Sequence, residues 1–267
     1  MPNVLAKLGG DVLVANPHVS TPGVLSFDRK VHAERLGELV RSSGAHLGAM
    51  LDPDGEQLTL VDDSGRILSD EEALCVFVAI VCEQKAGTAI AVPVDAPTEV
   101  ARIAEAAGSE LIWTKLAASE LMAASSEPAV RFAGNTQGGF IFPGFLPAFD
   151  AVAALVHLLS LLAVSGSRLS QVGASLTSPE MVRLEVPTPF EAKGLVMRML
   201  LERSSAEEIV LVDGVKLVDH DGWSLVVPDA EGPSTIVTAE GATAAAALER
   251  ANAMAEQITA IISETTS

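Results

Sequence analysis

The sequence predicts α/β domains with a mixed sheet between helix layers, followed by a C-terminal α+β domain with a mainly antiparallel sheet. Helical and strand patterns alternate over the first two thirds of the chain, which is typical of a sheet covered on both faces by helices. The last third groups several strands between two helices, as α+β domains do. The chain has 267 residues, of which 49% are hydrophobic. This composition favours a sizeable core and argues against global disorder.

In the first third, apolar residues recur at helical spacing over residues 26–45, and Gly44 is a suitable helix stop. Ser69 is expected to be the N-cap of a second helix, because Glu72 follows it at the spacing of a capping box. The predicted elements are, in order, a helix (2–9), a strand (11–16), a helix (26–45), two strands (46–51 and 58–62) and a helix (69–85).

The rest of the chain continues this alternation and then changes character. A very apolar stretch at residues 149–166 contains His157 and lacks cationic flanks. It is shorter than the roughly 20 residues of a membrane span, so a buried helix is predicted. Further strands are predicted at 88–94, 110–114, 129–133, 140–142, 181–187, within 208–229 and at 234–241, and further helices at 98–108, 115–125, 190–204 and 242–262. Domain boundaries are predicted near Lys85 and within residues 179–186, which divides the chain into residues 1–84, 85–183 and 184–267.

The charge balance restricts the partners. The chain has 17 Lys+Arg against 35 Asp+Glu, a formal net charge of −18. This balance argues against nucleic acid and against an anionic membrane surface, whereas a small anion in a locally basic pocket is still compatible. Cys75 and Cys82 would lie about 10 Å apart along one helix, too far for a disulfide, and buried reduced thiols are typical of a cytoplasmic protein.

Three local patterns are candidate sites. Asp52, Asp54 and Glu56 alternate in a loop between two strands, where their carboxylates could converge on Mg²⁺, and the alternative is a solvated acidic turn. The loop at residues 134–139 (GNTQGG) could admit a ligand closely or simply turn the chain. His220 lies between two aspartates, where an exposed hairpin tip is the favoured interpretation. No nucleophile elbow or zinc motif is present.

Several segments together resemble the α-D-phosphohexomutases, the family of phosphomannomutase and phosphoglucomutase. Residues 44–58 (GAHLGAMLDPDGEQL) and 61–69 (VDDSGRILS) resemble the family's metal-loop region, in which members have roughly ADLGIAFDGDGDR and then VDEKGRIL. Residues 138–150 resemble the sugar-binding loop and the following helix. Residues 213–216, 221–223 and 227–228 resemble the approach to the C-terminal phosphate-binding loop. The order and spacing agree along essentially the whole chain.

The resemblance implies a four-domain architecture, of which this chain would contain the C-terminal part of domain 2 (1–84), domain 3 (85–183) and domain 4 (184–267). It also implies exchange of phosphate between a phosphoserine and a hexose phosphate, with Mg²⁺ beside the phosphoserine. Asp52 and Asp54 match family metal ligands, and Glu56 replaces a third Asp. The family's phosphoserine loop is absent from this sequence, so no catalytic residue is assigned and enzymatic activity is left open.

The other two loops depart from the family. The sugar loop has the pattern GGExSGH in the family, and here Thr136, Gln137 and Gly138 lie in that region without the carboxylate that holds sugar hydroxyls. The phosphate loop has the pattern RPSGTEP, whereas residues 227–233 are VPDAEGP. Asp229 and Glu231, which precede Gly232, then stand where phosphate donors are expected, and carboxylates repel a phosphate dianion.

Three functions follow from this resemblance. The favoured one is an architectural or regulatory phosphomannomutase-like region in sugar-nucleotide synthesis, similar to the mutase-like half of mannose-1-phosphate guanylyltransferase fusion proteins. The second is a working part of a phosphohexomutase whose phosphoserine lies on another segment. The third is a Mg²⁺-dependent module that binds a sugar phosphate. The expected partners are a hexose phosphate or sugar nucleotide, and a nucleotidyltransferase domain or a second copy of the chain.

Overall fold

A computed structural model of the chain describes residues 2–15 and 28–266. The predicted alternation of helices and strands is confirmed for most elements, with two exceptions. The strand predicted at residues 11–16 is wrong for residues 11–15, which have no regular structure, and residue 16 lies outside the described residues. A six-residue helix at Leu169–Ala174 was not predicted, because so short a segment carries no helical periodicity.

The elements have the following bounds. The helices are Pro2–Lys7 (α1), Arg29–Ser43 (α2), Asp70–Gln84 (α3), Thr98–Ala106 (α4), Ala118–Ser125 (α5), Ala151–Ser165 (α6), Leu169–Ala174 (α7), Phe190–Arg203 (α8) and Ala244–Thr266 (α9). The strands are Gly48–Leu51 (β1), Leu58–Val61 (β2), Ala89–Pro93 (β3), Leu111–Thr114 (β4), Val130–Gly134 (β5), Phe140–Ile141 (β6), Glu180–Pro187 (β7), Glu208–Val210 (β8), Val215–Asp219 (β9), Gly222–Pro228 (β10) and Ser234–Gly241 (β11).

The central sheet is mixed and has the strand order β4-β3-β5-β6. Strand β3 is parallel to β4 and β5, and β6 is antiparallel to β5. Alternate residues of β3 and β5 face opposite sides, because successive side chains of a strand point in opposite directions. Ile90 and Phe132 lie in the core that contains α3 and α6, whereas Ala91 and Ala133 lie in a smaller core with α5. The sheet is therefore covered on both faces, as predicted.

Helix α3 is buried on most of its surface, which explains why its sequence is almost continuously apolar. The predicted capping box at its N-terminus is present, with Ser69 and Glu72 bonded to each other's backbone N–H groups. Cys75 and Cys82 are both free and buried in this helix. Across the described part of the chain, every helix is too short or too polar to cross a membrane.

The C-terminal sheet is antiparallel throughout, with the order β7-β11-β10-β9-β8. Helices α8 and α9 cover one face, where Val226 and Val237 pack with Val196 and Ile258. The opposite face carries buried Trp223 and packs against the α/β part of the chain. This arrangement of one antiparallel sheet and two helices is the α+β unit that the sequence predicted.

Candidate functional site

The acidic loop and the glycine-rich loop lie side by side, although about eighty positions separate them in the sequence. The acidic loop (residues 52–57) connects β1 to β2, and the glycine-rich loop (residues 134–139) follows β5. The backbone N–H of Leu58 donates to the carbonyl of Gly138 at 2.8 Å. Gln57 and Gly139 form an isolated antiparallel bridge. The chain thus brings together the two loops in which metal and sugar ligands were predicted.

Within the acidic loop, Asp52 stabilises the turn through one of its carboxylate oxygens. Its Oδ1 accepts the backbone N–H groups of Glu56 at 2.8 Å and Gln57 at 2.9 Å. The side chains of Asp54 and Glu56 are exposed. Among residues 2–15 and 28–266, no group of three or more His, Cys, Asp or Glu side chains is arranged to hold a metal ion. The three carboxylates therefore do not form a ready-made Mg²⁺ site in this conformation.

The glycine-rich loop is held by its own asparagine. The Oδ1 atom of Asn135 accepts the backbone N–H groups of Gln137 at 3.0 Å and Gly139 at 2.8 Å. Gly138 has a φ of +82°, and a Cβ added there would lie 3.0 Å from the carbonyl oxygen of Leu58. A glycine is needed at this position, because the backbone is in the left-handed region and the acidic loop lies close to it.

Thr136 points to a buried carboxylate. Its hydroxyl donates to Oδ2 of Asp95 at 3.0 Å, and Asp95 follows the carboxyl end of β3. Burial raises the pKa of Asp95 above its usual value, because the charged form loses hydration. Gln137, the neighbouring predicted residue, is exposed. Sequence analysis did not single out Asp95, because an aspartate after a buried strand resembles an ordinary turn residue.

Arg29 is a second residue that sequence analysis missed. Its Nε donates to the hydroxyl of Thr59 at 2.7 Å, and its Nη1 donates to Asp70 at 2.6 Å. The guanidinium lies beneath the glycine-rich loop, since a Cβ at Gly138 would approach Nη2 of Arg29 to 3.2 Å. Arg29 and Asp70 are 41 positions apart, so no local pattern could have paired them.

The third predicted loop, residues 229–233, connects β10 to β11 at one end of the C-terminal sheet. The carboxylate of Asp229 turns back into this loop. Its Oδ1 accepts the backbone N–H of Glu231 at 3.0 Å, and its Oδ2 accepts the hydroxyl of Ser234 at 3.2 Å. The pKa of Asp229 is lowered, mainly by the hydrogen bond from Glu231 and also by the backbone N–H of Gly232. Asp229 is therefore ionised at neutral pH and occupies donors of its own loop.

A buried lysine of α8 donates hydrogen bonds to the backbone of the same loop. Lys193 of α8 is 9% exposed, and its ammonium group donates to the carbonyl oxygens of Asp229 and Gly232. The ammonium also lies 4.2 Å from the ring centroid of Phe190. Two carbonyl oxygens and one aromatic ring thus compensate the charge of this cation within the protein.

The two histidines considered from the sequence lie where they were expected. His157 of α6 is partly buried and stacks on Phe142, with ring centroids 4.1 Å apart. Loss of hydration lowers the pKa of His157. His220 lies at the tip of the β9–β10 hairpin with 88% of its side chain exposed. Neither residue forms part of the paired loops.

The chain is similar in sequence and in fold to sugar-phosphate mutases. Residues 70–179 match the family described as phosphoglucomutase/phosphomannomutase, alpha/beta/alpha domain III. A curated relative, the probable phosphoglucosamine mutase of Methanopyrus kandleri, is 29% identical over 98% of this chain and 58% of its own length. A second probable phosphoglucosamine mutase, from Methanothermobacter thermautotrophicus, is 28% identical over 91% of this chain and 54% of its own length. The chain thus spans a little over half the length of these relatives.

Solved structures agree with this similarity at the level of the fold. A phosphoglucomutase/phosphomannomutase family protein from Burkholderia thailandensis superposes with a TM-score of 0.71 at 22% identity, over 86% of this chain and 51% of that one. The N-acetylphosphoglucosamine mutase of Aspergillus fumigatus, in complex with GlcNAc-6P and magnesium, gives a TM-score of 0.58 at 12% identity, over 81% of this chain and 49% of that one.

In fold and in sequence, the chain is similar to proteins of the phosphohexomutase class. More specifically, residues 70–179 match phosphoglucomutase/phosphomannomutase domain III, and the resemblance to the α-D-phosphohexomutases that the motifs indicated is confirmed. The match begins at Asp70, so α3 lies inside the matched region. The domain boundaries near Lys85 and within residues 179–186, and the relationship to guanylyltransferase fusion proteins, stay predictions.

Proposed function

We propose that this chain is a phosphohexomutase-like module that does not catalyse mutase chemistry by itself and that has an architectural or regulatory role in sugar-nucleotide synthesis. One observation carries the proposal: the carboxylate of Asp229 occupies donors of the β10–β11 loop, including the backbone N–H of Glu231 and the hydroxyl of Ser234. An incoming phosphate would need such donors. The internal carboxylate therefore competes with any phosphorylated ligand at this loop.

Electrostatics supports the same proposal. The loop presents Asp229, whose pKa is lowered mainly by the N–H of Glu231, together with the exposed carboxylate of Glu231. Like charges repel, and an ionised carboxylate cannot donate a hydrogen bond to phosphate. Lys193, the nearby cation, already donates to two backbone carbonyls. A phosphate dianion at this loop would therefore compete with Asp229 for these donors and with two carbonyls for the Lys193 ammonium.

The proposed ligand class is a hexose phosphate or a sugar nucleotide, taken up outside the β10–β11 loop or bound by a partner. Three curated relatives are named probable phosphoglucosamine mutase and a fourth is named phosphoglucomutase/phosphomannomutase, which favours an aminohexose phosphate as the first compound to test. A nucleotidyltransferase domain, or a second copy of the chain, is the partner that an architectural role would require.

Calorimetric titration with glucosamine 6-phosphate, glucose 6-phosphate and mannose 6-phosphate tests the loss of phosphate capture. We expect no heat of binding at millimolar ligand for the chain as it stands. The Asp54→Ala variant is the matched control for binding at the acidic loop. Micromolar binding that survives Asp54→Ala but is lost on Lys193→Ala, which removes the α8 cation that contacts the β10–β11 loop, would overturn the proposal.

A second candidate function is a working part of a phosphohexomutase whose phosphoserine is supplied by another segment. The contact between the acidic loop and the glycine-rich loop favours it, because a metal beside a sugar site needs that proximity. In this case Asp52, Asp54 and Glu56 would hold Mg²⁺. The metal ion would neutralise negative charge on the transferred phosphate. Asp54 and Glu56 would first have to turn toward Asp52.

Titration with Mg²⁺ tests this candidate without an activity assay. If Mg²⁺ binds at the acidic loop, millimolar metal should give a heat of binding that Asp54→Ala removes and Asp221→Ala, at the exposed β9–β10 hairpin, leaves in place. Equal heats for both variants, or no heat at all, would show that the acidic loop does not bind Mg²⁺ and serves only as a turn.

A further inference from the structure

The C-terminal sheet lies against the carboxyl edge of the central sheet. Strands β3 and β4 run parallel and end together at Pro93 and Thr114. Val94, the next residue after β3, packs with Trp223 and Leu225 of β10. After β4, the backbone N–H of Leu116 donates to Asp213 at 2.9 Å. Ligands of α/β sheets commonly bind at this carboxyl edge, and here the C-terminal sheet covers it.

A buried lysine lies at the centre of this contact. Lys216 of β9 is 6% exposed, and its ammonium donates to the carbonyl of Val94 at 2.7 Å. The same atom lies 4.0 Å from the ring centroid of Trp223 and 5.1 Å from that of Trp113 in β4. The cation is therefore bound on one side by its own sheet and on the other by the central sheet.

A carboxylate makes a second link in the same contact. Glu240 of β11 is 9% exposed and accepts the backbone N–H of Thr98 at 3.0 Å and its hydroxyl at 2.7 Å. The N-cap position of α4 is Pro97, which makes no side-chain capping bond. Glu240, 142 positions away, thus caps α4 in its place.

The contact continues to the glycine-rich loop through Asp95. This residue directly follows Val94, and one of its carboxylate oxygens accepts the hydroxyl of Thr136. Asp95 and Glu240 both stabilise the charge of Lys216. A displacement of the C-terminal sheet would therefore remove the cation that faces Asp95 and change the support of the glycine-rich loop.

We propose that Lys216 and Glu240 form a latch that closes the C-terminal sheet over the carboxyl edge of β3 and β4, and that Asp95 couples this latch to the glycine-rich loop. The latch goes beyond the proposed function, because it concerns how the two parts of the chain are held and not what the β10–β11 loop binds.

Tryptophan fluorescence tests the latch directly, because Trp113 and Trp223 are the only two tryptophans of the chain and both lie beside Lys216. We expect Lys216→Ala to raise the acrylamide quenching constant at least twofold with unchanged helical circular dichroism. Lys193→Ala, which removes the other buried lysine of the same domain, should leave quenching unchanged. Equal quenching in wild type and Lys216→Ala would overturn the proposal.

Hydrogen exchange on Glu240→Ala provides a second test that holds even if Lys216→Ala does not fold. We expect the Thr98 amide to exchange at least tenfold faster, together with the loop amides of Gln137 and Gly139. Glu231→Ala, which changes an exposed carboxylate in the β10–β11 loop, should leave these amides at wild-type rates. Faster exchange at Thr98 alone would contradict the coupling through Asp95, and no change at Thr98 would contradict the latch.

Discussion

At the β10–β11 loop, one carboxylate uses hydrogen-bond donors of the loop itself. The carboxylate of Asp229 accepts hydrogen bonds from Glu231 and Ser234, and Lys193 holds the loop carbonyls from below. The carboxylate of Asp229 therefore takes the position at these donors that an external anion would otherwise take. The charge of Lys216 is likewise compensated within the protein, by a carbonyl oxygen, an aromatic ring and nearby carboxylates.

Removing the internal anion should open the loop to an external one. We expect Asp229→Ser to bind inorganic phosphate with a dissociation constant in the millimolar range, whereas the wild-type chain binds none, because the N–H of Glu231 is released and a like charge is lost. Phosphorus NMR line broadening measures this binding. Asp221→Ser removes an equal charge from the exposed β9–β10 hairpin and should not bind, so equal binding by both variants would contradict the role of Asp229.

Lys216 should make stability depend on pH. Burial lowers the pKa of Lys216 to about 8 from its ordinary value of 10.5, against the opposing effect of Glu240, Asp95 and Glu208. Between these pH values the unfolded chain binds more protons at this residue, so the free energy of unfolding rises with pH. Relative to Lys216→Met, the wild type should gain roughly 1 kcal/mol per pH unit in this window. Urea denaturation at pH 7.5, 9 and 10 measures it, and a constant difference would contradict the assignment.

At the scale of elements, the sequence predicted what depends on local periodicity and missed what depends on contact between distant segments. The strands of the central sheet and the cap of α3 could be recognised because their residues are neighbours in sequence. Residues 11–15 have a strand-like composition, but isolated apolar residues form a strand only when a partner strand is available. The pairs Arg29–Asp70 and Glu240–Thr98 have no local signal at all.

For the candidate site, the sequence likewise predicted which loops are involved but not the contacts within them. The sequence indicated the acidic, glycine-rich and β10–β11 loops through their residue types. It could not indicate that Asp52 would bind its own backbone or that Asn135 would hold the glycine-rich loop, since both depend on backbone conformation. Whether these side chains bind a metal or a sugar stays a prediction.

The N-terminal cap of α3 should contribute measurably to stability. Ser69→Ala removes the acceptor of the Glu72 N–H, and a lost N-cap typically costs about 1 kcal/mol. Ser42→Ala is the matched control, because the Ser42 hydroxyl is exposed and bonds only to Leu39 within α2. Thermal unfolding should give a lower midpoint for Ser69→Ala alone. Equal midpoints for the two variants would contradict the contribution of the cap.

At the scale of the whole molecule, the chain has the phosphohexomutase fold, and backbone N–H groups of its three loops donate hydrogen bonds to side chains of the same loops. The acidic loop bonds to its own backbone, the glycine-rich loop is held by Asn135, and the β10–β11 loop is closed by Asp229. The latch at Lys216 further covers the carboxyl edge of the central sheet. These internal contacts support the architectural role that we propose.

The most direct test of this account is a coupled assay for interconversion of hexose 1-phosphates and 6-phosphates, with Mg²⁺ and a hexose 1,6-bisphosphate activator. It should be run on this chain and on any longer protein that contains it, with glucosamine, glucose and mannose phosphates in turn. The account predicts no turnover above the uncatalysed background. Turnover that disappears in the Asp54→Ala variant would contradict it and would establish a working mutase.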